Sequence, residues 1–460
     1  MSAPQEATAP SAPSAPSAPS ADRGAYRWYV LGVLMIAYMF NFIDRAIVGI
    51  LGHLIKADLN LTDAQLGLLG GLAFAITYTL IGIPLARLSE RVNRVRIIAV
   101  ATFVWSAMTM LCATATSFVQ LLLIRAGVGV GEAGLTPPAH SLIADYFTGG
   151  TRAMAIAIYS VGSSFGLLLA SGLAGMIAEH WGWRVTIALA GAPGLLLAAI
   201  ILFTIREPKR RISPSETEVP SFMAVLRHLV TTPTARNVLI AGTVAIAVQY
   251  GVMTFITSYF VRVHGATTAQ ASLIFGVVFG AMSCLGTLVG GYVNSILASR
   301  DPRWFALFPA ICLVIGGPLQ AIAVNQTSFA FALAFLAAGQ LSISGFVGPS
   351  LAAMHAVVTS RMRATTISIV FLLHSLCGLG LGVYLVGLIS DAMSARAFTG
   401  GDYAVWCAPK GVHVGEAVCK AASASGLTTA LTIWTLLLVW ASIHFFLAAR
   451  TARQDTIQDV

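Results

Sequence analysis

The chain has 460 residues, of which 57% are hydrophobic and 10% charged, and a formal net charge of +9. Soluble globular chains carry about a quarter charged residues, so this one lacks the polar surface to face water on all sides. Its basic residues fall between long apolar runs and mostly on one side of them, which excludes a nucleic-acid surface and points to membrane topology.

The first 25 residues carry a Pro/Ala/Ser repeat, APSAPSAPSAPSA, which cannot bury a core and is expected to be disordered. No basic region followed by an apolar stretch is present in it, so it does not read as a secretory signal. Six apolar segments follow at 28–52, 64–86, 97–114, 117–146, 153–177 and 184–205, each long enough to cross about 30 Å of hydrocarbon as a helix. A membrane barrel would show alternating segments of about 10 residues instead, and none occurs. Residues 206–236 carry four prolines and six basic residues and read as a cytoplasmic linker. Six further segments lie at 237–261, 269–296, 304–323, 328–357, 365–390 and 425–448, and 451–460 reads as a cytoplasmic tail. The expected fold class is an all-α membrane protein of twelve transmembrane helices in two six-helix halves, 26–205 and 237–450. With this layout nineteen Lys and Arg residues share the side of the termini and six lie on the other, so both termini are expected in the cytoplasm.

A charge at membrane depth costs several kcal/mol and is a functional candidate by default. Four such residues stand out: Asp44 and Arg45 in the first segment, Arg125 and Glu132 in the fourth. Counted at 1.5 Å per residue from the outer edge, Asp44 and Arg125 lie at matching depth, about 12 Å, so an ion pair between them is available. Glu132 follows Arg125 by two turns and shares its face, about 10 Å deeper, as a lone carboxyl. Asp44 and Arg45 point about 100° apart and need different partners. These residues are the candidate substrate site. Arg45 and Arg125 are suited to an anionic headgroup, with Arg125 the stronger candidate because it shares a face with Glu132. Glu132 is the expected proton-coupling residue, since desolvation disfavours its charged form, with Asp44 as the rival. Glu90, Arg91 and Arg94, between the second and third segments, are candidates for a gating charge network between the halves. Gln249, Gln320, Gln340, His355 and His374 could serve a polar solute or satisfy one another between helices.

Gly129-Val-Gly131-Glu132-Ala-Gly134 fits the dinucleotide pattern GxGxxG, but it lies in an apolar helix and not after a strand, so its glycines read as close-packing positions. A phosphate-binding GxxxxGK[ST] motif, HExxH and metal-spaced cysteines are all missing, so ATP hydrolysis, a metal and a cofactor are not expected. Cys407 and Cys419 share one outer loop and are a candidate disulfide.

Leu121-x-x-x-Arg125-x-x-x-Gly129-x-Gly131-Glu132-Ala133 resembles the fourth-helix motif of major facilitator transporters. Ala86-Arg-Leu-Ser-Glu90-Arg91-Val-Asn93-Arg94-Val-Arg96 resembles their GxxxDRxGRR loop, with Ala86, Glu90 and Asn93 departing from it. Asn41-Phe-Ile-Asp44-Arg45, Ile143-Ala-Asp145-Tyr-Phe and Arg206-Glu207-Pro208 are similar to the Spinster-like branch. The match is dense over 28–211, and beyond it rests on hydropathy, with Gly290-x-x-x-Asn294 a worn counterpart of the inner loop. The resemblance implies a proton-coupled, alternating-access transporter and not an enzyme. It implies amphipathic anions as substrates, with lysophospholipids and sphingosine-1-phosphate as those of the animal members; sugars, organic acids or drugs are the alternative. A monomer in a bacterial inner membrane is expected.

Overall fold

The structure is a computed structural model that describes residues 21–89, 91–147, 150–208, 220–359, 361–407 and 417–457. It is helical throughout these residues, with twelve membrane-crossing helices among them. The first half contains α1 (Ala21–Leu59), α2 (Asp63–Ser89), α3 (Arg94–Cys112) and α4 (Phe118–Tyr146). A continuous helical stretch, Gly150–Thr204, supplies the next two. Its apolar part, Met154–Thr204, has 51 residues, about 77 Å at 1.5 Å per residue, which is more than twice the hydrocarbon thickness. Gly182 divides it, with φ 78° and ψ 169°, a backbone that residues with a Cβ rarely adopt. We call its parts α5 (150–181) and α6 (183–204). The second half contains α7 (Pro233–His264), α8 (Thr268–Ala298), α9 (Trp304–Val324), α10 (Phe329–Ala356), α11 (Thr365–Ala397) and α12 (Ala417–Asp455).

Several boundaries differ from the sequence expectation. The helix of α1 begins at Ala21, inside the stretch expected to be disordered; residues 1–20 lie outside the described residues. Within the expected linker, Phe222–Thr231 is a short helix started by Ser221, whose side chain accepts from Ala224 N; 209–219 lie outside the described residues. The last helix starts at Ala417 and runs to Asp455, into the expected tail, where Arg453 pairs with Asp301 at 2.6 Å. That hydrogen bond holds the half-buried Asp301 carboxyl below its ordinary range.

The two halves repeat each other. α4 unwinds at 133–135 and α10 at 345–346, each just before a proline-bearing helical turn containing Pro137 and Pro138 or Pro349. Both second helices start from the same box. Thr62 accepts from Gln65 N while Gln65 accepts from Thr62 N, and Thr267 and Gln270 do the same before α8. Wide π-helical turns follow in both, at Leu68–Leu72 and Gly276–Met282, and a third lies in α11 at His374–Gly382.

The chain ends share one face: Tyr26 in α1 donates to the Thr204 carbonyl at the end of α6, and Ile457 N donates to the Ala356 carbonyl at the end of α10. Hydrogen bonds between the halves gather toward the opposite face. They include His53 with Thr268 at 2.9 Å, Ser272 to the Ser171 carbonyl, Thr257 to the Gly49 carbonyl, and Ala269 N to Glu179 at 2.8 Å. The Thr79–Ser375 bond, at 3.3 Å, lies near the middle of α2.

Candidate functional site

Asp44 and Arg45 sit past the middle of α1, and their backbone is fixed by close packing of that helix against α5 of its own half and α7 of the other. α4 supplies Arg125 and Glu132, two turns apart on the face toward α1. Arg125 Nη1 donates to Asp44 Oδ2 at 3.0 Å, and Thr109 of α3 donates to the other Asp44 oxygen at 2.6 Å. Arg45 Nε donates to Glu132 Oε2 at 2.6 Å. The expected Asp44–Arg125 pair is therefore present, and the two neighbours on α1 do take different partners.

One expectation needs correction. Glu132 is not a lone carboxyl: the long Arg45 side chain spans the difference in depth between α1 and α4, which a count of Cα rise alone does not capture. The two arginines also differ in exposure. Arg125 is 4% exposed and held by Asp44, whereas Arg45 keeps 18% of its side chain exposed over a wholly buried Glu132. Arg45 is the more exposed cation of the two.

Aromatic rings enclose that cation. Its guanidinium lies 4.8 Å from the centre of Tyr78, 5.1 Å from Phe74 and 5.5 Å from Phe42, each within cation–π range. Tyr250, Met253 and Thr254 of α7 face the same cavity, which has space of about 30 Å³ between the halves, room for a water. Sequence reasoning missed this cage. Its signal was there, in Phe42 one turn before Arg45 and in Phe74 and Tyr78 at i, i+4 on α2. Four polar atoms here are buried without a hydrogen-bond partner: Glu132 Oε1, Arg125 Nε, and Asn41 Nδ2 and Oδ1.

Of the expected gating residues, Glu90 lies outside the described residues and Arg91 is exposed. Arg94 is buried and does not act between the halves in this structure. It pairs at 2.6 Å with both Asp145 and Glu207, all within the first half, so it staples α3 to the end of α4 and to the segment after α6. Gln320 donates to Gln340 at 3.0 Å, and Gln340 donates on to Ser283, so these two satisfy each other between helices. Cys407 and Cys419 are joined by a disulfide, Cα atoms 5.4 Å apart. Among the described residues no cluster of side chains could hold a metal.

Twelve helices in two repeated halves, with ion pairs buried among the helices of the first, define a membrane transporter, and the Major Facilitator Superfamily model matches residues 34–398: the chain belongs to that superfamily. Within it the chain is Spinster-like. It matches a solved bacterial homologue of the human lysosomal transporter Spinster, in an inward-facing and unoccupied conformation, at a TM-score of 0.84 and 33% identity over 95% of this chain and 99% of that one. It is 28% identical to protein spinster homolog 1 of Homo sapiens over 79% of this chain and 73% of that protein. It is also 29% identical to an MFS-type efflux pump of Mycolicibacterium smegmatis over 80% of this chain and 85% of the pump.

Proposed function

We propose that the protein moves an amphipathic anion, a lysophospholipid or a molecule of that kind, by alternating access coupled to protons. One observation carries this reading: a partly exposed arginine, paired with a buried glutamate, stands in an aromatic cage between the halves. An incoming phosphate or carboxylate competes with Glu132 for Arg45, and Arg is the side chain best shaped to take it with two parallel bonds. Glu132 is then left buried without its cation, a situation most cheaply relieved by taking a proton. Anion and proton thus load together, and movement in the same direction fits the geometry better than exchange. Phe42, Phe74, Phe275 and Leu379 supply apolar walls that suit an acyl or sphingoid tail and offer little to a polyhydroxylated solute. With the termini in the cytoplasm, the present state is inward-facing, since the halves are joined on the far side.

Counterflow of a radiolabelled lysophospholipid in proteoliposomes tests the reading. The parent should accumulate it when a proton gradient is imposed. Glu132→Gln, which mimics the protonated glutamate, should retain counterflow but lose gradient-driven accumulation. Full competition by neutral sugars with none by lysolipids would replace the lipid anion by a polar solute. Accumulation by Glu132→Gln equal to the parent, with loss in Asp44→Asn, would move the proton site to Asp44.

A further inference from the structure

A second buried charge cluster lies on the face opposite the termini, far along α1 from the site above. Asp63, the first residue of α2, is 1% exposed. Its Oδ1 accepts from Lys56 Nζ at 2.6 Å and from Arg262 Nη2 at 2.7 Å; its Oδ2 accepts from Arg262 Nη1 at 2.7 Å and from Ser390 Oγ at 2.7 Å. Lys56 belongs to α1, in the same half as Asp63, whereas Arg262 of α7 and Ser390 of α11 belong to the other half. Next to Ser390, Asp391 accepts from the backbone N–H groups of Asp63 and Ala64 at 3.0 and 2.8 Å, so it caps α2 from across the seam. A carboxylate at a helix N-terminus satisfies donors that the helix itself cannot. The repeat places a weaker counterpart on the other side of the seam, where the exposed Glu179 of α5 accepts from Ala269 N in the first turn of α8 at 2.8 Å.

The partition of charge in this cluster is what matters. The first half brings Lys56 and Asp63, the second brings Arg262 and Asp391: one cation and one carboxylate each. Breaking a buried ion pair is costly because it strands a charge. Here separation strands none, because Asp63 stays with Lys56 and Arg262 can turn to Asp391, its neighbour in the same half. We infer that this cluster is a partner-exchange latch for the gate opposite the termini, closed by Arg262 across the seam and released onto Lys56. The inference rests on alternating access between the halves and is independent of the substrate and of the proton site.

The two cations therefore have opposite roles although both bind one carboxylate. Arg262 holds the closed state. Lys56 shares the oxygen Oδ1 with it, so in the closed state it competes with Arg262 and repels it, and that repulsion is relieved when the halves part. Removing Arg262 should open this gate, and removing Lys56 should close it further. A merely structural cluster would respond to both losses in one direction.

The test uses Val383→Cys, whose parent valine is wholly buried where α11 meets Gly67 of α2, with Cys284, Cys312 and Cys377 replaced by alanine. Maleimide reaches this thiol only when the halves part, so its rate in nanodiscs follows the open population even when that population is small. Cys112, buried inside the first half, stays as the reporter of unfolding. Arg262→Met should raise the rate at position 383 by about tenfold, and Lys56→Met should lower it by about threefold, with Cys112 unchanged in both. Changes of the same sign, no change in either variant, or rates that follow Cys112 would each overturn the latch.

Discussion

Arg45 and Arg125 carry the same chemistry at nearly the same depth, and only their surroundings tell them apart. Arg125 is sealed against Asp44 and backed by Thr109, whereas Arg45 keeps part of its side chain exposed. A lysine in place of Arg125 keeps the charge and can still meet one Asp44 oxygen. A lysine in place of Arg45 loses the planar fork and the stacking area that faces Phe42, Phe74 and Tyr78. We expect Arg45→Lys to lower transport of an anionic lysolipid by roughly tenfold or more, and Arg125→Lys by clearly less, as initial rates in proteoliposomes. A larger loss in Arg125→Lys would place the headgroup on the Asp44–Arg125 pair instead.

At the scale of helices, close approach decides which glycines matter. Gly131 of α4 lies so near α3 that an added Cβ would stand 2.5 Å from the Trp105 backbone nitrogen, whereas one added at Gly291 of α8 meets nothing within 4 Å. Gly131→Ala should therefore cost about 1–3 kcal/mol of stability, while Gly291→Ala should be neutral or slightly stabilising, read as the midpoint of thermal unfolding in detergent. Equal midpoints would mean that α3 and α4 can move apart freely. The role of Gly131 was legible in the sequence, because a small residue in an apolar helix has few other uses. So were the twelve spans and the four charges at membrane depth, because apolar length and misplaced charge are local signals. Pairings across the fold were not. Arg45 with Glu132, and Lys56 and Arg262 with Asp63, depend on side-chain reach and on which helices adjoin, and Lys56 and Arg262 count in the sequence only as outer-side charges. The two halves were legible from layout, but their sequence likeness was overlooked: Thr62-x-Ala64-Gln65 and Thr267-x-Ala269-Gln270 start the equivalent helices of the two halves.

For the whole molecule, direction depends on which face meets the cytoplasm. The face with both chain ends carries most of the basic residues, including Arg300 and Arg303 between α8 and α9. The opposite face holds the disulfide and the short link between α9 and α10. Cytoplasmic loops retain Lys and Arg during insertion, and disulfides persist in oxidising compartments, so on two unrelated grounds we expect the termini inside. Single cysteines at Ser299 and Thr327, both exposed, test this in intact cells with an impermeant maleimide after the four free cysteines are replaced by alanine. Thr327→Cys should react at once, and Ser299→Cys only after permeabilisation. The reverse pattern would place the Asp63–Arg262 latch at the cytoplasmic surface. The same structure would then be an outward-facing state, and the proposed loading of anion and proton at Arg45 and Glu132 would begin from outside the cell.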